Sequence, residues 1–153
     1  MKIGIVDTTF SRINMGKIAI DELRRISSIP YERYTVPGIK DLPVAAKKMI
    51  EERNCDLVIT LGWVGGTQKD MFSYIVLSMG LVMVQLLTNR HIIDVTVHED
   101  EAESEEELLK VAENRVREHV RNAVDLLVNP KRLQRMAGTG QRQGYPDAGP
   151  IMK

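Results

Sequence analysis

The 153 residues suffice for one domain with its own hydrophobic core. Apolar residues make up 43% and charged ones 27%, and acidic and basic groups cancel to zero net charge. That balance excludes a global field drawing the chain to nucleic acid or an anionic membrane, and it leaves little repulsion against self-association.

A single cysteine, Cys55, excludes an intrachain disulfide and points to a reducing cytoplasm. It is expected as a small buried apolar residue. Lys2 leads straight into Ile3-Gly4-Ile5-Val6, and Asp7 and Thr8 follow too soon for a signal-peptide core. The apolar run reads instead as a central parallel strand opening into the loop Asp7-Thr8-Thr9-Phe10. From Asn14, an N-cap candidate, Ile18, Leu23 and Ile26 fall near helical spacing until Pro30 stops the segment. Residues 31–36 form a second strand candidate, closed by Pro37-Gly38. A helix is expected over 41–52, with Pro43 in its first turn, where the missing N–H costs nothing.

Leu57-Val58-Ile59-Thr60-Leu61 is the clearest buried strand, and Gly62, Gly65 and Gly66 mark a loop after it. A long helix follows over 68–87. Its most apolar part, residues 75–87, carries Ser78 and Gln85 and falls short of the roughly 20 residues of a membrane span, so it is expected to be buried in the domain. Residues 92–97 give a fourth strand. Ser104-Glu105-Glu106-Glu107 matches a capping box and opens a charged helix lasting to about Val128, before Pro130. The tail from 130 to 153, rich in Gly, Arg and Gln, has no core pattern and is expected to pack on a neighbouring subunit or to stay mobile.

Strands alternating with helices of this length imply parallel βαβ units, and so a single α/β domain over 1–153, a three-layer α/β/α sandwich on a four-stranded parallel sheet. Functional loops then lie at the carboxyl ends of the strands. Several chemistries are excluded there. Thr8-Thr9-Phe10-Ser11-Arg12 lacks the glycines of a flavodoxin-type phosphate loop, and the third strand does not end on the aspartate of a phospho-receiver. No dinucleotide or P-loop signature occurs, and His91, His98 and His119 lack zinc-site spacing.

What remains is a polar pocket rimmed by Phe10, Lys40, Asp41, Trp63, Lys69, His98 and Glu99. Phe10 and Trp63, in a chain with only 5% aromatics, suit stacking on a flat heterocycle, or equally cover the sheet end or an interface. Asp41 reads either as a ligand or as a helix N-cap.

The segment Thr35-Val36-Pro37-Gly38-Ile39-Lys40-Asp41-Leu42-Pro43 resembles the valine, proline, glycine, carboxylate, hydrophobe and proline pattern of lumazine synthases. Asp56-Leu57-Val58-Ile59-Thr60-Leu61-Gly62 resembles that family's third strand. The hallmarks of the archaeal riboflavin synthases, paralogues of lumazine synthase, match more fully. They are Val6-Asp7-Thr8-Thr9-Phe10, Thr88-Asn89, Val97-His98-Glu99-Asp100-Glu101-Ala102, Arg135-Met136-Ala137-Gly138, Arg142-Gln143-Gly144 and Asp147-Ala148-Gly149-Pro150.

The resemblance implies a lumazine-synthase-like (flavodoxin-like) fold and dismutation of two 6,7-dimethyl-8-ribityllumazines into riboflavin and 5-amino-6-(ribitylamino)uracil. Two departures from lumazine synthase matter. Aligned through Gly80, Lys69 stands where that family has its acid/base histidine, and an amine is mostly protonated at neutral pH unless desolvated. The acidic His98-Glu99-Asp100-Glu101 replaces a cationic phosphate pocket and would repel a phosphorylated substrate.

By resemblance, Phe10 and Trp63 flank one ring, with Thr9 and Val64 beside it. Gly38, Ile39 and Lys40 line the ribityl chain, and Asp41 accepts from its hydroxyls. His98 is expected as proton shuttle, Lys69 as stabiliser of the developing anion, and Glu99 as the group that orients His98 or acts itself. No cofactor is required on this reading, although Glu99, Asp100 and Glu101 are compatible with magnesium. The implied assembly is a cytoplasmic homopentamer with sites between neighbours and two lumazines in each. A lumazine synthase, or a non-catalytic flavin or lumazine carrier, is the alternative.

Overall fold

The computed structural model describes residues 1–151. Strands β1 (Ile3–Thr8), β2 (Tyr31–Val36), β3 (Leu57–Val64) and β4 (Ile92–His98) form one parallel sheet in the order β2-β1-β3-β4. Helices α1 (Met15–Ile26) and α4 (Glu105–Val128) cover one face, where Ile3, Ile5, Leu57, Ile59, Leu61, Val95 and Val97 join the core. Helices α2 (Leu42–Glu51) and α3 (Gln68–Thr88) cover the other, against Val6, Val58 and Ile92. Alternate residues of each strand therefore serve opposite layers, as the pleat requires. The expected α/β/α sandwich is the observed one.

Local chemistry sets the helix starts. Asn14 accepts from Lys17 N, and Thr67 and Asp70 form a reciprocal capping box at α3. At α4 only half of the expected box forms: Ser104 accepts from Glu107 N, and no return bond from the Glu107 side chain exists.

Three expectations need correction. β3 does not stop at Leu61 but runs through Gly62 and Trp63 to Val64, buried throughout. Gly62 fits mid-strand because a side chain there would crowd Thr96 Oγ1, Ile39 and Leu42. Helix α3 is not buried: only Leu77, Leu81 and Val84 are, and the other side presents Phe72, Ile75, Val76, Met79, Met83 and Leu86 to solvent. With 21 residues it is long and apolar enough to cross a membrane by length and composition alone, yet Leu77, Leu81 and Val84 belong to the core of the sandwich. The tail, finally, begins with a fifth helix, α5 (Pro130–Met136), and then folds back onto α4 of its own chain.

Candidate active site

Strand order reverses between β1 and β3: α1 leads from β1 to β2 on one side, and α2 returns to β3 on the other. The crevice outside the carboxyl ends of these two strands is where open α/β sheets bind ligands. A cavity of about 250 Å³ lies there, lined by Phe10, residues 38–41, residues 63–65, Asp70 and Ser73. A larger cavity, about 500 Å³, lies between the β1–α1 loop and the start of α4, lined by Arg12, Ile13, Trp63, Glu105, Glu106, Leu108 and Leu109. It has no glycine among its lining residues to bring backbone amides close to a ring, so the switch-point crevice is the better candidate.

The loops of the crevice are fixed by backbone bonds. Thr9 N donates to Val36 O at 2.9 Å, Phe10 N to Pro37 O at 3.2 Å, and Thr9 Oγ1 to Pro37 O at 3.3 Å. Thr9 is thus occupied in tying two loops together. The tie leaves the Phe10 ring 57% exposed on the cavity wall. Asp7, below, is buried and held by Arg33 Nη2 at 2.5 Å and Thr35 Oγ1 at 2.6 Å. Ile39, Lys40 and Asp41 form a 3-10 turn in which Gly38 N donates to Asp41 Oδ2 at 3.3 Å. The Asp41 side chain makes no cap bond to α2, so the N-cap reading gives way to an exposed carboxylate at the crevice.

Trp63 differs from its expected role. Its indole is only 1% exposed, belongs to the α1/α4-side core, and donates from Nε1 to Glu99 Oε1 at 2.9 Å. An indole so placed cannot stack on a ring in the crevice. With alternation carried past Gly62, position 63 faces inward, which a loop beginning at Gly62 conceals. Val64, on the opposite parity, is buried and lines the crevice.

Lys69 is exposed in the first turn of α3 and is not among the lining residues, whereas Asp70 and Ser73 are. Those two were missed. Their spacing of three on one helix face was the available sign. Bonds from the Thr67 hydroxyl and backbone hold the Asp70 carboxyl below its ordinary range.

His98 lies at the end of β4 with its ring edge-on to Tyr74 of α3, centroids 4.8 Å apart. Glu99 does not orient it: Glu99 accepts from Trp63 and from Arg12 Nη1 at 3.5 Å. Burial draws the Glu101 carboxyl upward, but Arg115, His98 N and Tyr145 outweigh it and hold it below the ordinary range. Because Glu99 and Glu101 face different guanidinium groups, the acidic triplet does not converge on one point, and no group of three metal-capable side chains occurs among the described residues.

The crevice brings together an open aromatic, two glycines and the side chains of Lys40, Asp41, Asp70 and Ser73. The sequence profile of the 6,7-dimethyl-8-ribityllumazine synthase family matches residues 1–131, and the chain belongs to that family. Its full-length relatives place it more narrowly. A riboflavin synthase of Archaeoglobus fulgidus is 85% identical over 153 residues, all of both chains, and one of Methanothermobacter thermautotrophicus is 53% identical over 99% of each. A 6,7-dimethyl-8-ribityllumazine synthase of Methanopyrus kandleri is 32% identical over 75 residues, which cover 46% of this chain and 53% of its own. Within the family, the chain belongs with the archaeal-type riboflavin synthases.

Proposed function

We propose that the chain joins two 6,7-dimethyl-8-ribityllumazines at the switch-point crevice and moves a four-carbon unit from one to the other, releasing riboflavin and 5-amino-6-(ribitylamino)uracil. The observation that carries this reading is the open Phe10 ring, held by Thr9 and Pro37 beside the backbone of 38–41 and 63–65. Phe10 flanks one ring, the 38–40 backbone follows the ribityl chain, and Asp41 accepts from its hydroxyls. The reaction begins with loss of a proton from a 7-methyl group, whose acidity the substrate itself supplies. The enzyme's share is to press the rings together and to place modest acids and bases. His98 is assigned the proton shuttle, and Lys69, outside the single-chain cavity at the first turn of α3, is assigned the developing anion in the assembled site. Glu99, committed to Trp63 and Arg12, supports the loop carrying His98.

The assembly is proposed as a cytoplasmic homopentamer of 17.3 kDa protomers with sites between neighbours. Two features support it. The outer face of α3 is apolar from Phe72 to Leu87 and needs a cover, and it starts beside Asp70 and Ser73 of the crevice. The cavity of one chain, about 250 Å³, also lies below the roughly 300–1,000 Å³ usual for a single small-molecule site, which favours a site that a neighbour enlarges to hold two ligands.

Incubation with 6,7-dimethyl-8-ribityllumazine alone tests the reaction, with riboflavin expected by its absorbance. Turnover only on addition of the pyrimidinedione and a four-carbon phosphate would mark a lumazine synthase instead. Tight binding without product would mark a carrier.

A further inference from the structure

The tail that the sequence leaves without a core pattern makes a specific set of contacts. Arg115 of α4 is only 3% exposed. Its Nη1 donates to Thr96 O at 2.9 Å and Glu101 Oε2 at 2.6 Å, and its Nη2 donates to Glu101 Oε1 at 2.7 Å. This bidentate pair anchors the loop between β4 and α4, because Glu101 Oε2 also accepts from His98 N at 2.8 Å. The tail closes over the pair. Gly144 O accepts from Arg115 Nη2 at 3.3 Å, and the Tyr145 ring stacks on the Arg115 guanidinium at 4.1 Å. The Tyr145 hydroxyl donates to Glu101 Oε1 at 3.2 Å.

The approach depends on glycine. Gly144 has φ +73°, and a side chain there would sit 2.6–2.9 Å from Arg115. Gly144 N donates to Glu118 Oε2 at 3.1 Å and Gln143 Nε2 to Asn122 Oδ1 at 2.9 Å, so the strap is registered along two turns of α4. The loop it covers carries His98 and also Glu99, which bonds Trp63 beside the crevice.

We infer that residues 142–147 form a strap that positions the β4–α4 loop, with Tyr145 and Arg115 as positioning residues for the site. Removing the aromatic lid admits water to the Arg115–Glu101 pair, weakens it, and frees the backbone at His98. The effect on catalysis rests on the reading of the preceding subsection, whereas the coupling of strap to loop does not.

The test compares the full-length protein with Tyr145→Ala and Tyr145→Phe, by amide hydrogen exchange over 98–101 and by steady-state riboflavin formation. In Tyr145→Ala, exchange in the loop rises and kcat falls, each by about 10-fold, the size of one half-exposed cation–π contact plus one weak hydrogen bond, with KM within about threefold. Tyr145→Phe keeps the ring over the guanidinium and stays within about threefold of the parent in both. Unchanged loop exchange in Tyr145→Ala, or faster loop exchange with kcat unaltered, overturns the inference. Should the parent protein make no riboflavin, the functional reading fails, and exchange over 98–101 alone decides whether the strap holds the loop.

Discussion

Two long helices cover the sheet from opposite sides, and they finish their surfaces differently. Helix α4 buries eight residues inward and turns Glu105, Glu106, Glu107 and Lys110 to solvent. Between α4 and α1, the buried Glu22 carboxylate is held by Arg25, Arg117 and Arg121. That layer is complete within one chain. Helix α3 buries three residues and leaves Leu86 78% and Met79 63% exposed. The crevice opens on this second side, at the first turns of α3. Where a fold leaves an apolar face uncovered next to its candidate site, the partner that covers the face is in position to complete the site.

The sharpest way to break this contrast is to charge the α3 face. Met79→Glu leaves the chain's own core untouched. At a subunit interface it buries an unpaired carboxylate, so assembly is expected to collapse to protomers in sedimentation velocity and activity to fall at least about 100-fold. An assembly of unchanged mass would show that α3 is not the contact.

The complementary change is Glu22→Gln on the finished side. In the fold, hydrogen bonds from Arg25, and then from Arg121 and Arg117, bring Glu22 from 4.5 to about 2 against the opposing pull of burial. A carboxyl lowered on folding contributes stability that is complete above its unfolded value and lost as pH falls from about 4.5 toward about 2. Glu22→Gln should therefore cost about 2–3 kcal/mol in urea unfolding at pH 7 and flatten that acid limb, with the assembly intact. An unchanged acid limb would disprove the assignment.

Phe10→Ala tests the crevice itself. Loss of a stacking wall is expected to raise KM about 10-fold with little effect on stability, since the ring is exposed in the single chain. The smallest effect concerns the interior of the α2/α3 layer. Burial raises the Cys55 thiol to about 11, so the native protein should resist alkylation at pH 8 and react only on unfolding. Rapid native labelling would show that this layer is loose inside as well as unfinished outside.

Much of this was readable from sequence where side-chain periodicity and burial agree. Ile3-Gly4-Ile5-Val6 and residues 57–61 are buried on both faces, Asn14 caps α1, and Pro130 closes α4. Failures came where the deciding partner is distant in sequence. Gly62 reads as a terminator until Thr96 and Ile39 are seen against it, and Trp63 reads as exposed for the same reason. Hydrophobicity pointed to burial of α3 in the domain, and the chain leaves most of that helix exposed. The tail has no apolar pattern because a stacked guanidinium and a few polar bonds hold it. At the site, Phe10 and residues 38–41 were legible through motif and loop position. Asp70 and Ser73 depended on how α3 is rotated over the crevice, which spacing alone leaves open.

Trp63 is the only tryptophan in the chain, enclosed in the core and tethered to Glu99 at the edge of the crevice. The protein thus carries one indole fluorophore per chain, which can be excited apart from the four tyrosines at the red edge of its absorption. Its emission should be that of a shielded indole, and excitation energy should pass to a yellow flavin formed nearby. Product appearance and release could then be followed in real time without any attached dye.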